Sequence, residues 1–399
     1  MTLTYRRLTS ADLPDAVERA VAAFGTPRGE DTLNERLRER VDHGALVGVE
    51  SDGRVLAHGA VWPADHWIGG QRVPCQHVAS VAVAPEDRGR GAGSALMRHV
   101  IAEGAREGLG LSLLFPALDG MYRALGWEQA GAFAWWRLEC RSARVAGAGR
   151  GPRVRRLDLR EPADRAAVRA CHARFAAGQP CLEAREESAW SRLEDARFAW
   201  GHDGDDGLDA YALVDHESIT GDWRYRLRIR DWAATSPEGL RALVAFVGGH
   251  GTTAADAVLR GPIPHPWSLV LPEQDLALTG HFHWMARGLD LPTAIAARGF
   301  PAAVRASVAL RIDDPELPDA RGPWRLSVAD GRGSLEPLAN DDDVLATARL
   351  DATAVGPLLT GHRTAEQLAL AGRASGDAAA LAALTAALAG PQPTLADFF

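Results

Sequence analysis

Between Val81 and Ser94 the chain reads Val-Ala-Val-Ala-Pro-Glu-Asp-Arg-Gly-Arg-Gly-Ala-Gly-Ser. His77 to Val83 is short, rich in Val and bounded by Pro74 and Pro85, which predicts a strand ending in Val81, Ala82 and Val83. Gly89, Gly91 and Gly93 then alternate with Arg88, Arg90 and Ala92 in a loop. From Ser94 onward, Leu96, Met97, Val100 and Ile101 fall on one face of a helix. A strand, a glycine loop and a helix start form an anion site. Glycine lets the backbone come close, free N–H groups point outward, and the helix dipole favours negative charge. Arg88 and Arg90 add donors matched to phosphate.

Around this loop Leu3 to Leu138 reads as one α/β unit. A strand from Leu3 to Leu8 precedes a helix through Val17 to Phe24 and a charged helix from Asp31 to Val41. Ala45 to Glu50 and Arg54 to Trp62 alternate as strands about the turn Ser51-Asp-Gly-Arg54. Trp67 to Val73 is a further turn. Leu111 to Phe115 and Trp127 to Leu138 are strands flanking a short helix from Met121 to Leu125. Residues 141–153 read as a linker from their Gly, Ala and Arg content. Residues 154–285 then restart a similar pattern without an Arg-Gly-x-Gly loop. Helices are expected at Pro162 to Phe175, Glu186 to Arg192 and Leu240 to Val247, and strands at Tyr211 to Val214, Arg224 to Ile229 and Leu269 to Val270. Residues 286–399 form a third region. There Pro292 and Gly299 bracket a short helix, strands are expected at Ala306 to Ile312, Trp324 to Ala329 and Ala346 to Leu350, and helices at Thr353 to Leu359 and Asp377 to Leu388. The fold class is therefore α/β (α+β) in three parts.

Composition bounds the rest. A chain of 399 residues, 46% hydrophobic, holds material for two or three domains. No apolar run approaches the roughly 20 residues of a membrane span, and the N-terminus has no signal-peptide core. Four scattered cysteines without a C-x-x-C pair suit a reducing cytoplasm. All 44 basic side chains are arginine, and the net charge of −8 argues against nucleic acid as partner. His281 and His283 share a strand face with His265 upstream, but no Cys or carboxylate cluster joins them. A structural role is expected there, and no metal.

The order of an α/β unit with this loop, a second without it and a third region resembles the Eis-like (enhanced intracellular survival) N-acetyltransferases of the GNAT superfamily. The likeness spans the whole chain. It rests on the loop, on Met121-Tyr-Arg-Ala-Leu-Gly-Trp127, on Leu289-Asp-Leu-Pro-Thr-Ala-Ile-Ala-Ala-Arg-Gly-Phe300 and on the terminal Phe399. It implies tandem GNAT folds, the first active and the second degenerate, followed by a domain with a sterol-carrier-protein-2-like fold. It also implies acetyl-CoA as donor, amines including aminoglycosides as acceptors, and a hexamer.

The resemblance places the N–H of Val83 as the oxyanion donor, with Val81 holding the pantetheine arm, and Tyr122 as general acid. A phenol with a reference pKa near 10 stays protonated at neutral pH and can donate to a thiolate. The base it implies is the chain's own terminal carboxylate, on Phe399. Two aromatic residues at the very end predict a docked terminus, because exposure wastes their apolar area. His77 is the rival base, with a pKa better suited to the task. Phe24 and Trp62 are candidates for the pocket wall, and Glu30 and Asp397 for binding a small cationic amine, although most charges from Glu30 to Arg40 read as a solvated helix face. The rival functions are a lysine acetyltransferase acting on protein or peptide, and a non-catalytic acyl-CoA or lipid carrier.

Overall fold

The computed structural model describes residues 3–25, 29–146, 153–338 and 347–399. The first part contains β1 (Thr4–Arg7), α1 (Leu13–Phe24), α2 (Glu30–Asp42), β2 (Leu46–Ser51), β3 (Arg54–Ile68), β4 (Gln71–Val83), α3 (Ala92–Arg106), β5 (Leu111–Leu114), α4 (Asp119–Arg123) and β6 (Glu128–Glu139). The second contains α5 (Cys140–Ala146), β7 (Arg155–Leu157), α6 (Pro162–Ala177), α7 (Glu187–Ser191), β8 (Phe198–Gly204), β9 (Gly207–Ser218), β10 (Tyr225–Ala234), α8 (Pro237–Gly249), β11 (Ala254–Arg260) and β12 (Leu276–Gly288). The third contains α9 (Leu291–Ala297), β13 (Ala306–Asp313), β14 (Trp324–Ala329), β15 (Arg332–Pro337), β16 (Thr347–Asp351), α10 (Ala352–Thr360), α11 (Ala365–Leu370), β17 (Ala374–Gly376) and α12 (Ala378–Leu388).

Two expectations from composition are corrected. Leu269 and Val270 are not a strand. Pro266–Leu269 is a 3₁₀ turn, entered through Pro266 and capped by His265, whose Nδ1 accepts from the Trp267 N–H at 3.2 Å. The first part of the supposed linker is the helix α5, which packs on α8 with Cys140 and Ala143 buried. Burial of that face outweighs the loop-like composition. Residues 147–152 and Ala346 lie outside the described residues.

The described strands of the first two parts form one twelve-stranded sheet, ordered β1-β2-β3-β4-β5-β12-β6-β11-β10-β9-β8-β7. β12, the last strand of the second part, lies antiparallel between β5 and β6. Met285 to Gly288 pair with Leu114 to Leu111 on one side, and Leu276 to Ala286 pair with β6 on the other. β6 in turn pairs with β11 of the second part, Glu139 facing Asp256. Each α/β unit is thus completed by a strand supplied from the other. The third part is a separate five-stranded sheet, ordered β15-β14-β13-β16-β17. Its apolar face packs with α9, α10 and α12 into one core with Trp284 and Phe133 of the large sheet.

Several histidines are buried in these cores as neutral rings. Burial pushes His58 and His265 down to about 3, and His66 and His172 down to about 4. These values lie below the unfolded ~6.5, so the unfolded chain binds the extra protons. Their contribution to stability is complete above about pH 6.5 and shrinks as the pH falls toward 4, by up to roughly 1.4 kcal/mol per pH unit for each ring. Urea midpoints are expected to drop steadily from pH 7 to pH 5. A flat profile would contradict the neutral buried state.

Candidate active site

The site begins where β4 and β5 part. They pair in parallel only from Cys75/Leu111 to Val78/Leu114. Past that rung β4 runs on to Val83 and keeps only β3 as a neighbour. There β4 carries a bulge, with Ser80 and Val81 opposing Gly59 of β3 and Ser80 at φ 51°. Such a conformation costs a non-glycine residue about 1–3 kcal/mol and persists only where the surroundings impose it. The Ala84 N–H is bonded to the Leu56 carbonyl of β3. Successive strand amides alternate sides, so those of Val83 and Val81 face the opposite edge, which β5 has left open. Val81 and Val83 are half-buried, and Ala82 is buried.

The loop after β4 turns through Gly89 and Gly91, at φ 76° and 83°, and enters α3. Gly91 is the N-cap of α3, and no side chain caps the helix. The first-turn N–H groups of Ala92, Gly93 and Ser94 are therefore left for a ligand. A Cβ on Gly93 would meet the Val83 side chain at 3.2 Å, so any larger residue would press the helix start and the strand apart by a few tenths of an ångström. Asp87, buried, anchors the loop by accepting from Arg54 at 2.7 Å, and Arg90 lies 3.4 Å away. Arg88 is exposed and makes no ion pair among the described residues. An uncapped long helix, a glycine cradle and an arginine pair fit a pyrophosphate.

Tyr122 lies on α4, in one apolar cluster with Val81, Val83, Met97 and Leu114. Its phenol is buried and makes no hydrogen bond among the described residues. Burial alone pushes its pKa up to about 12, so it stays protonated. Arg287 of β12 holds this helix from behind. Its guanidinium donates to the Leu125 carbonyl at 2.7 Å and to Asp314 of the third part at 2.8 Å, and it is 1% exposed.

The chain's end reaches this cleft. The Thr394 N–H donates to the Pro180 carbonyl, and the Ala132 N–H to the Pro393 carbonyl. Phe398 stacks on Phe115 at 4.6 Å between ring centres. Phe399 stacks on His77 at 3.6 Å, and its ring also meets Trp62 and Phe115 edgewise or tilted. His77 and Phe115 flank the last rung that β4 and β5 share, so the terminal residue sits where the strands diverge. His66 donates from Nδ1 to the Cys181 carbonyl and accepts at Nε2 from the His77 Nε2–H, at 2.6 Å. The Nδ1 of His77 is left bare and buried. Burial, with His66, Arg40 and Arg192 nearby, holds His77 well below the usual range.

The expected substrate residues divide. Trp62 is at the cleft, but the guanidinium of Arg40 covers its face at 3.6 Å. Asp397 is engaged within the protein: both its oxygens accept from Arg185, at 2.8 and 3.2 Å. Glu30 is exposed with no ion pair among the described residues, and Phe24 makes no ring contact with the cluster there. Sequence reasoning missed Glu183. Burial, and then the nearby Asp397 carboxylate, push it up to about 7, and it lies within electrostatic reach of Arg40 and Arg192. No local motif marks it.

Arg185 is the hinge of this arrangement. It is bonded to Asp397 of the tail and to Asp231 of β10, and Asp231 also accepts from the Tyr211 hydroxyl. Its side chain is 1% exposed. Arg185→Met leaves two carboxylates buried and unpaired, and a loss of about 3–5 kcal/mol is expected by urea unfolding. A change below about 0.5 kcal/mol would mean that Arg185 does not hold these carboxylates.

A model of the acetyltransferase (GNAT) domain matches residues 4–130, a second acetyltransferase (GNAT) domain model matches residues 182–288, and a sterol carrier protein domain model matches residues 291–396. The chain is 25% identical to an uncharacterized N-acetyltransferase of Streptomyces griseus, over the full length of both. Among solved structures, a GCN5-related N-acetyltransferase from Kribbella flavida is 32% identical with a TM-score of 0.87, over 100% of this chain and 98% of that one. One from Anabaena variabilis is 25% identical with a TM-score of 0.89, over the whole of both. Eis1 from Mycobacterium abscessus, 23% identical with a TM-score of 0.79 over the whole of both, shares the fold. The GNAT domains imply use of acetyl-CoA. With this full-length likeness, this chain belongs to the GCN5-related N-acetyltransferases, with two acetyltransferase domains followed by a sterol carrier protein domain.

Proposed function

We propose that this enzyme transfers the acetyl group of acetyl-CoA directly to a primary amine of a small molecule, with Tyr122 as general acid and the Phe399 carboxylate as base. The observation that carries this reading is the docked terminus, where the Phe399 ring is stacked on His77 at the point where β4 and β5 diverge. The loop from Arg88 to Ser94 would hold the pyrophosphate. The Val83 N–H, fixed on a strand edge, stabilises negative charge on the thioester carbonyl oxygen. The amine nitrogen attacks the carbonyl carbon, the C–N bond forms and the C–S bond breaks. Tyr122 gives its proton to the departing sulfur. The terminal carboxylate takes the amine's proton and passes it to solvent.

A terminal carboxylate is a weak base, with a reference pKa of about 3.3–3.7, so its part is to orient the ammonium and relay its proton. Glu183 adds a second acidic group nearby, and it holds a proton for part of the time near neutrality. Cys75 offers no acyl-enzyme route, because burial pushes its thiol well above the usual range.

The Eis resemblance puts aminoglycosides first among the acceptors. With Asp397 held by Arg185, the acidic groups left for a cationic acceptor are Glu183 and the terminus. The test is CoA release against aminoglycosides, polyamines, arylalkylamines and lysine peptides. Turnover of small amines without turnover of peptides is expected. Cofactor binding with no turnover of any amine would instead favour a carrier.

A further inference from the structure

A second cavity lies away from the acetyl-transfer cleft, at the root of the C-terminal tail. It measures about 240 Å³ and is lined in part by His362, Arg363, Thr364, Gln367, Thr385 and Gln392. It opens between the loop after α10, the face of α12 and the segment that leads to Phe399. His362 is 9% exposed, and neither of its ring nitrogens has a hydrogen-bond partner. Gln392 reaches toward the ring without completing a bond. Leaving a buried polar group unmatched costs about 1–3 kcal/mol, so native structures keep such groups for a reason.

The charges around the cavity favour an anion. Arg363 is exposed and makes no ion pair among the described residues. His283 of β12 lies 5.9 Å from His362, ring centre to ring centre. Burial, and then Arg363 and His283, push His362 down to about 4, so its ring is neutral and offers one N–H. The carboxylates within reach are already engaged. Glu366 accepts from the Thr385 hydroxyl at 2.6 Å, and Glu128 is paired with Arg123 at 2.8 Å. The Gln367 side-chain oxygen accepts from the Thr364 N–H, which leaves its amide NH₂ free. The groups left over are therefore mostly donors: a guanidinium fork, an amide and an imidazole N–H.

We propose that this cavity binds a small molecule carrying an oxyanion, a carboxylate or a phosphate, held by Arg363 and His362. Its volume suits a compact metabolite, below the usual 300–1,000 Å³ of drug-sized pockets. The occupant touches Gly390 and Gln392, from which the chain runs on to the catalytic cleft.

The test uses the full chain with ¹⁵N-labelled histidine, titrated separately with sodium phosphate and sodium citrate at pH 7. The His362 resonance is assigned by its loss in His362→Gln. A saturable shift of that resonance is expected with at least one of the two salts. Phosphate alone would identify a phosphate ligand, and citrate alone a carboxylate. In Arg363→Gln, a surface change that leaves the core intact, affinity should fall roughly tenfold through loss of a charge-assisted contact. No saturable shift with either salt, or equal affinity in Arg363→Gln, overturns the assignment.

Discussion

Tyr122→Phe is expected to lower kcat by roughly 10²- to 10⁴-fold, the usual range for a positioned general acid, while acetyl-CoA affinity stays unchanged. The substitution is unusually clean here. The phenol makes no hydrogen bond among the described residues, so its removal orphans no partner. The ring remains, and with it the edgewise contact to Trp127 at 6.0 Å and the packing on Leu114 and Met97. Urea stability should therefore match the parent within about 0.5 kcal/mol, and any loss of rate reports chemistry. The pH profile gives a second readout. With the phenol raised to about 12, activity should not fall through Tyr122 ionisation anywhere below pH 10. Full turnover by the variant would remove Tyr122 from the mechanism.

A single glycine added beyond Phe399 should cost about 10²-fold in kcat. The extension leaves the Phe398 and Phe399 rings in their stacks on Phe115 and His77. It moves the carboxylate outward by one residue, roughly 3.5 Å, and displacements of 1 Å already cost catalytic groups about that factor. Deleting Phe398 and Phe399 is the harsher test, since it also removes two anchoring rings, and it should cost at least as much. The rival base is separated by the acid limb of the profile. If His77 took the proton, the extended chain would keep its rate and its profile, and His77→Asn would lose both. His77 is buried under Phe399 with a strongly lowered pKa, so the extension is expected to be the damaging change.

The site divides by range. The loop from Arg88 to Ser94 is legible because its signal is local, with glycine spacing, a Val-rich strand before it and helical periodicity after it. The docking of the tail is legible for a simpler reason, the apolar area of two terminal phenylalanines. The strand exchange is not. β12 shows the same composition whether it pairs within its own unit or between β5 and β6, and nothing in 276–288 names its neighbours. The same limit hid the pairing of Arg185 with Asp397, which meet across 212 residues. Glu183 acquires its raised pKa only from what folds over it. The linker reading of 141–153 failed in its first part because Cys140 and Ala143 find α8, a partner that composition does not reveal.

The interleaved sheet fixes an order of events during synthesis. β5 emerges from the ribosome at Leu111–Leu114, and the strand that lies against it, β12, only at Leu276–Gly288. At about 5–20 residues per second, the nascent catalytic half waits many seconds with that edge of β5 uncovered. The cleft is finished later still, when Phe399 docks on His77. A chain halted before β12 therefore leaves β5 and β6 without the strand that lies between them, and with it loses the continuity of the sheet that carries the cleft.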